Sequence, residues 1–528
     1  MTKTRLLLFL FITFFSFTTD TRNCFSQSQF QIVINDSSNS GIEARSIIQT
    51  TDGGFVAAGE TGTNGKMYIV KLNSANQLQW SRTIGDIGIA LSVVQTTDGG
   101  FVVSGYGSLF GAGLGGPFIV KLTSAGIIEW SRVLLDGNGN AAYSIVQTID
   151  GGYATIISPS FGGSSNGIIV AKLNSMGLIQ WSKSFGGVCY GRCIKQTTDE
   201  GYVLAGAIVS PGLDLYVVKL DPNGSLQWAK QIGGANYEFA YSIVQTADGG
   251  YAAAGFTDSF GSEKMYIVKL ESNGTLQWTR VVALNSDRAY SIVQTADGGY
   301  AVGGWTGGGM SGMLILKLNS DGSLQWSRVV KGNSTQTYAY SLIQTSDGGF
   351  AAAGYGGMVS ATGMYIVKLD NNGNTCGNTV SHTIIESSGG ILGSIIPTIN
   401  NITLTDTLVT PQTGTHGFVT PLCVIGIQPI TSEIPVSFKL YQNYPNPFNP
   451  VTKIKFDIGG TLVAQTFLSV YDMLGREVDI LVNTDLQPGT YEVDWDGSNY
   501  ASGVYYYSLS ISGSSGKYQE TKRMLLVK

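Results

Sequence analysis

Residues 240–282 read AYSIVQTADGGYAAAGFTDSFGSEKMYIVKLESNGTLQWTRVV. The runs 242–246 and 251–255 flank an Asp-Gly-Gly turn, the chemistry of a β-hairpin. A second pair of runs, 265–270 and 276–282, flanks a turn carrying Asn273-Gly274. The stretch predicts four short strands in two hairpins, and no helical period runs through it. Its marks recur along the chain. The Gln of the first strand returns as Gln49, Gln95, Gln147, Gln196, Gln245, Gln294 and Gln344, at spacings of 46, 52, 49, 49, 49 and 50 residues. Each is followed by a turn Asp (Asp52, Asp98, Asp150, Asp199, Asp248, Asp297, Asp347). The third strand closes each time on Lys-Leu (Lys71, Lys121, Lys172, Lys219, Lys269, Lys317, Lys368).

The fourth strand breaks the count. Its Trp occurs only as Trp80, Trp130, Trp181, Trp228, Trp278 and Trp326. After Leu369 the chain reads DNNGNTCGN, without the expected strand. An orphan strand, 30–34, precedes the first copy, and Phe30 lies 19 residues before Gln49 as Trp326 lies 18 before Gln344. Six whole units and one divided between the chain ends indicate a closed ring. An open solenoid would carry atypical caps that do not complement each other. A period near 49 with four strands is that of a propeller blade. The fold class is therefore all-β: a seven-bladed β-propeller over 27–375, closed by the N-terminal strand pairing with 364–369. The KLxxxGxLxW pattern resembles the tryptophan-docking motif of the quinoprotein dehydrogenase propellers. That resemblance implies Trp residues packed between adjacent blades, and full burial is expected to make six of them the inter-blade glue.

Composition agrees. Of 528 residues 71 are Gly, roughly twice the usual share, as many tight turns require. A net charge of −5 with charged residues at 13% argues against a nucleic-acid surface. Lys3 and Arg5 ahead of the apolar run 6–17 read as a secretory signal peptide, 1–26, cleaved before Gln27. Lipidation at Cys24 is the rival reading, but Thr21-Arg22-Asn23 lacks the small and apolar residues such a site needs. No later run is long enough to span a bilayer, so the mature chain is expected to carry no transmembrane segment. Four cysteines remain after cleavage. Cys376 with Cys423 is the expected disulfide, whereas Cys189 and Cys193 would lie about 13 Å apart in an extended strand, too far to bridge.

From 376 to 433 the repeat stops, in a stretch rich in Thr, Ser, Ile and Gly with scattered Pro, read as a linker with some strand content. Residues 434–528 then carry YQNYPNPFNPVTKIKF, LSVYDMLGREV, LQPGTYEVDWDG, SGVYYYSL and ETKRMLLVK, apolar runs separated by turns every 8–15 residues. That spacing predicts an antiparallel sandwich of about seven strands. The segment resembles the type A sorting domain of the type IX secretion system, and the Ig-like domain of flagellar hook-capping proteins. The resemblance implies a Bacteroidota-type bacterium and Sec export to the periplasm. It also implies recognition by the type IX machinery and delivery outside the cell. Lys522, Met524, Leu525, Val527 and Lys528 match the family's terminal motif.

Chemistry is harder to find. Both His residues, His382 and His416, fall in the linker, which removes His-based metal sites and Ser-His-Asp arrangements from the ring. No metal site or cofactor is implied. The repeated Asp reads as a turn former rather than a calcium ligand. The repeated Lys, and the Arg or Lys two after each Trp, read as partners along the blade edges. Function is expected where the copies differ. Four residues before each Gln stand Arg45, Leu91, Tyr143, Arg192, Tyr241, Tyr290 and Tyr340. Strand parity places them on the face of the Gln, where four Tyr and two Arg would ring a central funnel. Such a surface suits stacking on sugars or gripping an anionic group, though the same Tyr residues would also serve as filling between blades. The variable second hairpins (106–117, 158–167, 256–264, 305–312) form another candidate surface, with Phe110, Phe161, Phe260 and Trp305. Three functions follow: a binding module for a glycan, peptide or surface partner, a carboxylate-based polysaccharide enzyme, or a structural spacer. The enzyme would draw on Glu43, Glu60, Asp214, Glu238, Asp258 and Asp287.

Overall fold

A computed structural model describes residues 29–35, 41–62, 65–85, 87–108, 115–135, 140–159, 167–185, 189–210, 212–283, 286–307, 311–331, 337–358 and 361–375. It further describes seven short strands between 379 and 425, then 435–460, 464–486, 488–498, 500–513 and 516–528. The signal-peptide residues, His382, His416, Phe110 and Phe161 lie outside these, as do Cys376 and the side chain of Cys423.

The described chain is all strand, with no helix. Each repeat forms one antiparallel four-stranded sheet. The first comprises Glu43–Gln49, Phe55–Glu60, Met67–Leu72 and Leu78–Ile84, and the fifth Glu238–Gln245, Tyr251–Thr257, Lys264–Leu270 and Leu276–Ala283. The seventh has only Tyr338–Gln344, Phe350–Met358 and Ala361–Leu369 from its own repeat, and Gln29–Asn35 takes the fourth place. Phe30 faces Lys368 and Ile34 faces Met364, the pairing expected of the orphan strand.

Alternation within a strand puts apolar side chains on both faces of every sheet, so each sheet needs a neighbour on either side. Seven apolar clusters meet that need, each shared by two sheets consecutive in the chain. One of them joins the seventh sheet to the first through Phe30, Ile32, Met364 and Ile366 against Ile47, Phe55 and Tyr68. A series of side-chain bonds links the sheets in the same order. The amide oxygen of each first-strand Gln accepts the N–H at the turn of the preceding sheet, from Thr51 to Gln95 (2.9 Å) through Ala296 to Gln344 (2.8 Å). The last member, Ser346 N–H to Gln49 at 2.8 Å, crosses 297 residues of sequence.

The Trp residues do pack between sheets, but none is fully buried. Trp278 stands edge-on to Tyr300 of the next sheet at 5.7 Å, four others do the same at 5.6–5.8 Å, and Trp80 meets Phe101 tilted at 5.9 Å. Phe30 supplies the seventh, against Phe55 at 5.8 Å. The repeated Arg residues lie over their own Trp and donate to carbonyls of the next sheet's second turn, as Arg82 does to Gly126 at 2.9 Å. They tie sheets together across faces, not along edges.

The repeated Lys also departs from expectation. It is buried and pairs with the turn Asp in all seven copies, at 2.8–2.9 Å. In the fifth sheet the Lys269 ammonium bonds Asp248 and the Leu270 carbonyl, while Asp248 also accepts from the Thr246 hydroxyl and the Gly250 N–H. The two glycines of the turn have separate reasons. Gly249 has φ +80°, whereas a Cβ on Gly250 would stand 2.5 Å from the Lys269 ammonium and 2.3 Å from the Leu270 oxygen. Glu200 replaces the first of these glycines in the fourth sheet and adopts φ +64°, and Gly201 keeps the second place. Burial disfavours the charged Asp, yet the bonds from Thr, Lys and Gly outweigh it and hold Asp98, Asp150, Asp248 and Asp297 at about 2. Because the folded pKa lies below the unfolded value, their stabilisation is complete above about pH 4 and is lost as the pH falls towards 2. Denaturant midpoints are expected to drop steeply through that window, and a flat profile there would contradict the pairing.

The stretch read as a linker is drawn into the sheets. Thr379–Ser381, Ile385–Ser387, Ile391–Ser394, Ile399–Asn401, Thr405–Leu408 and Thr413–Gly414 add antiparallel fifth strands to the sixth, fifth, fourth, third, second and first sheets in turn. Phe418–Ile425 completes the circuit on the N-terminal strand, Gln29 opposite Ile425 and Asn35 opposite Phe418. Beyond 435, seven strands form a three-stranded and a four-stranded antiparallel sheet over one core containing Trp495, Tyr491, Phe456 and Tyr507.

Candidate ligand-binding site

The first strands of neighbouring sheets lie side by side around the whole cycle. Each carries a β-bulge at the position four residues before its Gln. The register skips between Ala44 and Ser46, and between the equivalent residues of the other six sheets. Arg45, Leu91, Tyr143, Arg192, Tyr241, Tyr290 and Tyr340 are therefore the unpaired extra residues, a placement strict parity did not foresee. A bulge re-aims its side chain, and here six of the seven meet one another or a shared neighbour. Arg45 lies 4.3 Å over the Tyr340 ring. Tyr340 meets Tyr290, and Tyr290 meets Tyr241, each at 5.1 Å. Tyr241 stands 4.8 Å from Phe239, whose ring also lies 5.2 Å from the Arg192 guanidinium. Arg192 in turn sits 4.0 Å over Tyr143. All seven bulge residues are half-buried.

The residue after each bulge forms a second series of contacts that sequence reasoning missed. The hydroxyl oxygens of Ser46, Ser92, Ser144, Ser242, Ser291 and Ser341 each accept the N–H of a residue in the next sheet, as Ser341 does from Ile47 at 3.1 Å. Cys193 takes the seventh place, a buried free thiol 3.8 Å from the Ile243 oxygen. A Ser three residues before six of the seven Gln was the available signal.

Charges around the ring are uneven. Arg45 pairs with Glu43 at 2.7 Å and Glu60 at 3.3 Å, and Arg288 with Glu263 through Nε at 2.7 Å. Burial raises the Glu43 carboxyl above its usual range; Arg45 opposes that shift and Glu60 adds to it. Burial pushes the Tyr340 hydroxyl up to about 12 against the opposing field of Arg45. Among the other acids considered, Glu238 is buried and accepts from Thr257, Ser259 and the Gly234 N–H. Asp214 accepts from Gln231, and Asp258 caps the Tyr237 N–H. Asp287 is buried. In the variable hairpins Phe260 is exposed, and Trp305 packs 5.5 Å from Tyr338.

In the terminal strand Met524 is buried, whereas Leu525, Val527 and Lys528 are exposed and Lys522 pairs with Glu520 at 2.8 Å. The strand is held to the Pro-Asn motif: Phe448 N–H donates to Leu525, and Val527 N–H returns to Phe448 at 2.9 Å. Among the described residues no group of His, Cys, Asp and Glu is placed to hold a metal ion, and no helix is long and apolar enough to cross a membrane.

Residues 442–526 match the model of the secretion system C-terminal sorting domain. No curated protein matches the chain. Among solved structures, it is similar to a protein of unknown function from Bacteroides caccae (15% identity, 52% of this chain and 93% of that one, TM-score 0.36). A protein of unknown function from Dyadobacter fermentans is similar at 14% identity, over 64% of this chain and 97% of that one, with TM-score 0.43. PorZ of Porphyromonas gingivalis, described as a surface component of the type IX secretion system, is similar at 12% identity. That likeness covers 90% of this chain and 58% of PorZ, with TM-score 0.35. The sorting domain makes this a secreted or outer-surface protein that interacts with the type IX secretion machinery.

Proposed function

We propose that the chain is an exported, non-catalytic binding module: a seven-bladed β-propeller closed by its N-terminal strand, carried by an Ig-like sorting domain in a Bacteroidota-type bacterium. A signal peptide of 26 residues would take it through the inner membrane. The cyclic order of apolar clusters and Gln bonds supports the propeller reading. The site is the ring of bulge residues, and the ligand a glycan or other surface partner. One observation carries this: Arg45, Tyr340, Tyr290 and Tyr241 form an unbroken series of contacts, and Phe239 joins Tyr241 to Arg192 and Tyr143. These residues differ between copies whose scaffold is constant, and their partial exposure leaves edges for stacking and hydrogen bonding. A glycan-array screen of the mature chain is expected to return ligands that are lost in the Arg45→Ala/Arg192→Ala double variant. Unchanged binding in that variant would remove the ring as the site.

A second reading rests on Glu43 and Glu60, directly opposite in the first sheet and both beside Arg45. Two facing carboxyls, one of them raised by burial, are the arrangement of a general acid and base. Hydrolysis or lysis of an array ligand by the wild-type chain, abolished in Glu43→Gln, would favour it.

A further inference from the structure

Three arginines reach the ring, and two are matched by carboxylates. Arg45 has Glu43 and Glu60, and Arg288 has Glu263. Arg192 has none within 4.0 Å among the described residues. Its Nη1 donates to the Gly191 oxygen at 2.9 Å and the Pro159 oxygen at 3.4 Å, both neutral acceptors. A half-buried cation without a counter-charge carries part of the cost of burial, and an arriving anion recovers it. Burial lowers the affinity of the Arg192 guanidinium for its proton despite the neighbouring Tyr143, Tyr241 and Tyr190 hydroxyls, whereas Arg45 and Arg288, each beside a carboxylate, are shifted upward. The guanidinium carbon lies over two aromatic rings, Tyr143 at 4.0 Å and Phe239 at 5.2 Å. With Nη1 engaged by the two backbone oxygens, the Nε–Nη2 edge is the part of the fork that a ligand would meet. A planar acceptor with two oxygens fits that edge best, because a carboxylate meets the guanidinium fork with two parallel bonds.

We infer that Arg192 anchors the carboxylate of an acidic glycan, a uronic acid unit, with the adjoining sugars on Tyr241 and Tyr290. This rests on the ring being the binding site. Sugars suit the neighbours: successive half-buried Tyr rings at 5.1 Å offer C–H stacking edges and hydroxyls rather than a pocket for an apolar side chain.

The test uses the full mature chain in calorimetric titrations with an oligogalacturonate and with the same oligosaccharide reduced at its carboxyls to the neutral sugar. Wild type is expected to favour the acid about tenfold or more, the scale of a charge-assisted bond. Arg192→Gln should bind both forms alike, and Arg192→Lys, which keeps the charge but loses the fork, should recover only part of the preference. Unchanged melting temperatures certify that the variants are folded. Equal binding of both forms by wild type, or a preference that survives in Arg192→Gln, overturns the role of Arg192. If neutral binding is nevertheless lost in Tyr290→Ala, the ring reading stands. Absence of binding to either form overturns the glycan class, and Arg192-dependent capture of a peptide's free C-terminus in its place would identify the wrong carboxylate source.

Discussion

Removing residues 29–35 from the mature chain is expected to lower the melting temperature by about 10 °C or more. Phe30, Ile32, Val33 and Ile34 are all at most 2% exposed. Each fully buried apolar side chain of this size contributes about 1.5–3 kcal/mol, so four of them approach the 5–15 kcal/mol by which a domain is stable. The backbone partners of the strand go with it, since Ala361–Leu369 and Phe418–Ile425 both pair there. The Phe30–Phe55 contact that replaces the missing Trp is lost as well. Differential scanning calorimetry of the truncated chain decides the matter. A melting curve within 2 °C of the parent, roughly the effect of a single kcal/mol, would show that the strand is not part of the ring.

The second large effect concerns one buried charge. Asp248→Ala leaves the Lys269 side chain, 2% exposed, with no paired carboxylate among the described residues. Breaking a fully buried pair costs about 3–5 kcal/mol. Here Asp248 is 53% exposed and water screens it, so about 2–4 kcal/mol is expected in urea unfolding. Lys269→Met should cost less, and the double variant should recover much of the Asp248→Ala loss, since an apolar side chain of similar length then fills the site. Additive losses would mean that the two residues act independently.

Both effects mark what a single chain of letters reveals. The count of repeats and the vacancy in the seventh copy follow directly from residue spacing, and so does the strand that fills it. The seven Asp–Lys pairs do not. Each partner has a sufficient local explanation, a turn for Asp248 and a strand end for Lys269, and only the folded hairpins bring them together. The Trp residues were over-read because the second turn of the next sheet, through Gly126 or Gly322, an aromatic ring of that sheet and the neighbouring Arg cover the indole only in part. The candidate ring residues stand out by their variability, but the bulge that places Arg45 or Tyr290 leaves no mark in an otherwise alternating strand. The strands of 379–425 were the least legible, being two to eight residues long and apolar only in patches. They are set by the edges they join rather than by a period of their own.

That circuit also decides how the molecule bears load. Tension on the chain beyond Ile425 enters at the seam, where the longest of the seven added strands holds the N-terminal strand. The remaining six, each of two to four residues, would then detach one sheet at a time, from the first to the sixth. The longest attachment stands nearest the pull, so the strand that would resist extraction is the one paired with the N-terminal strand of the seventh sheet.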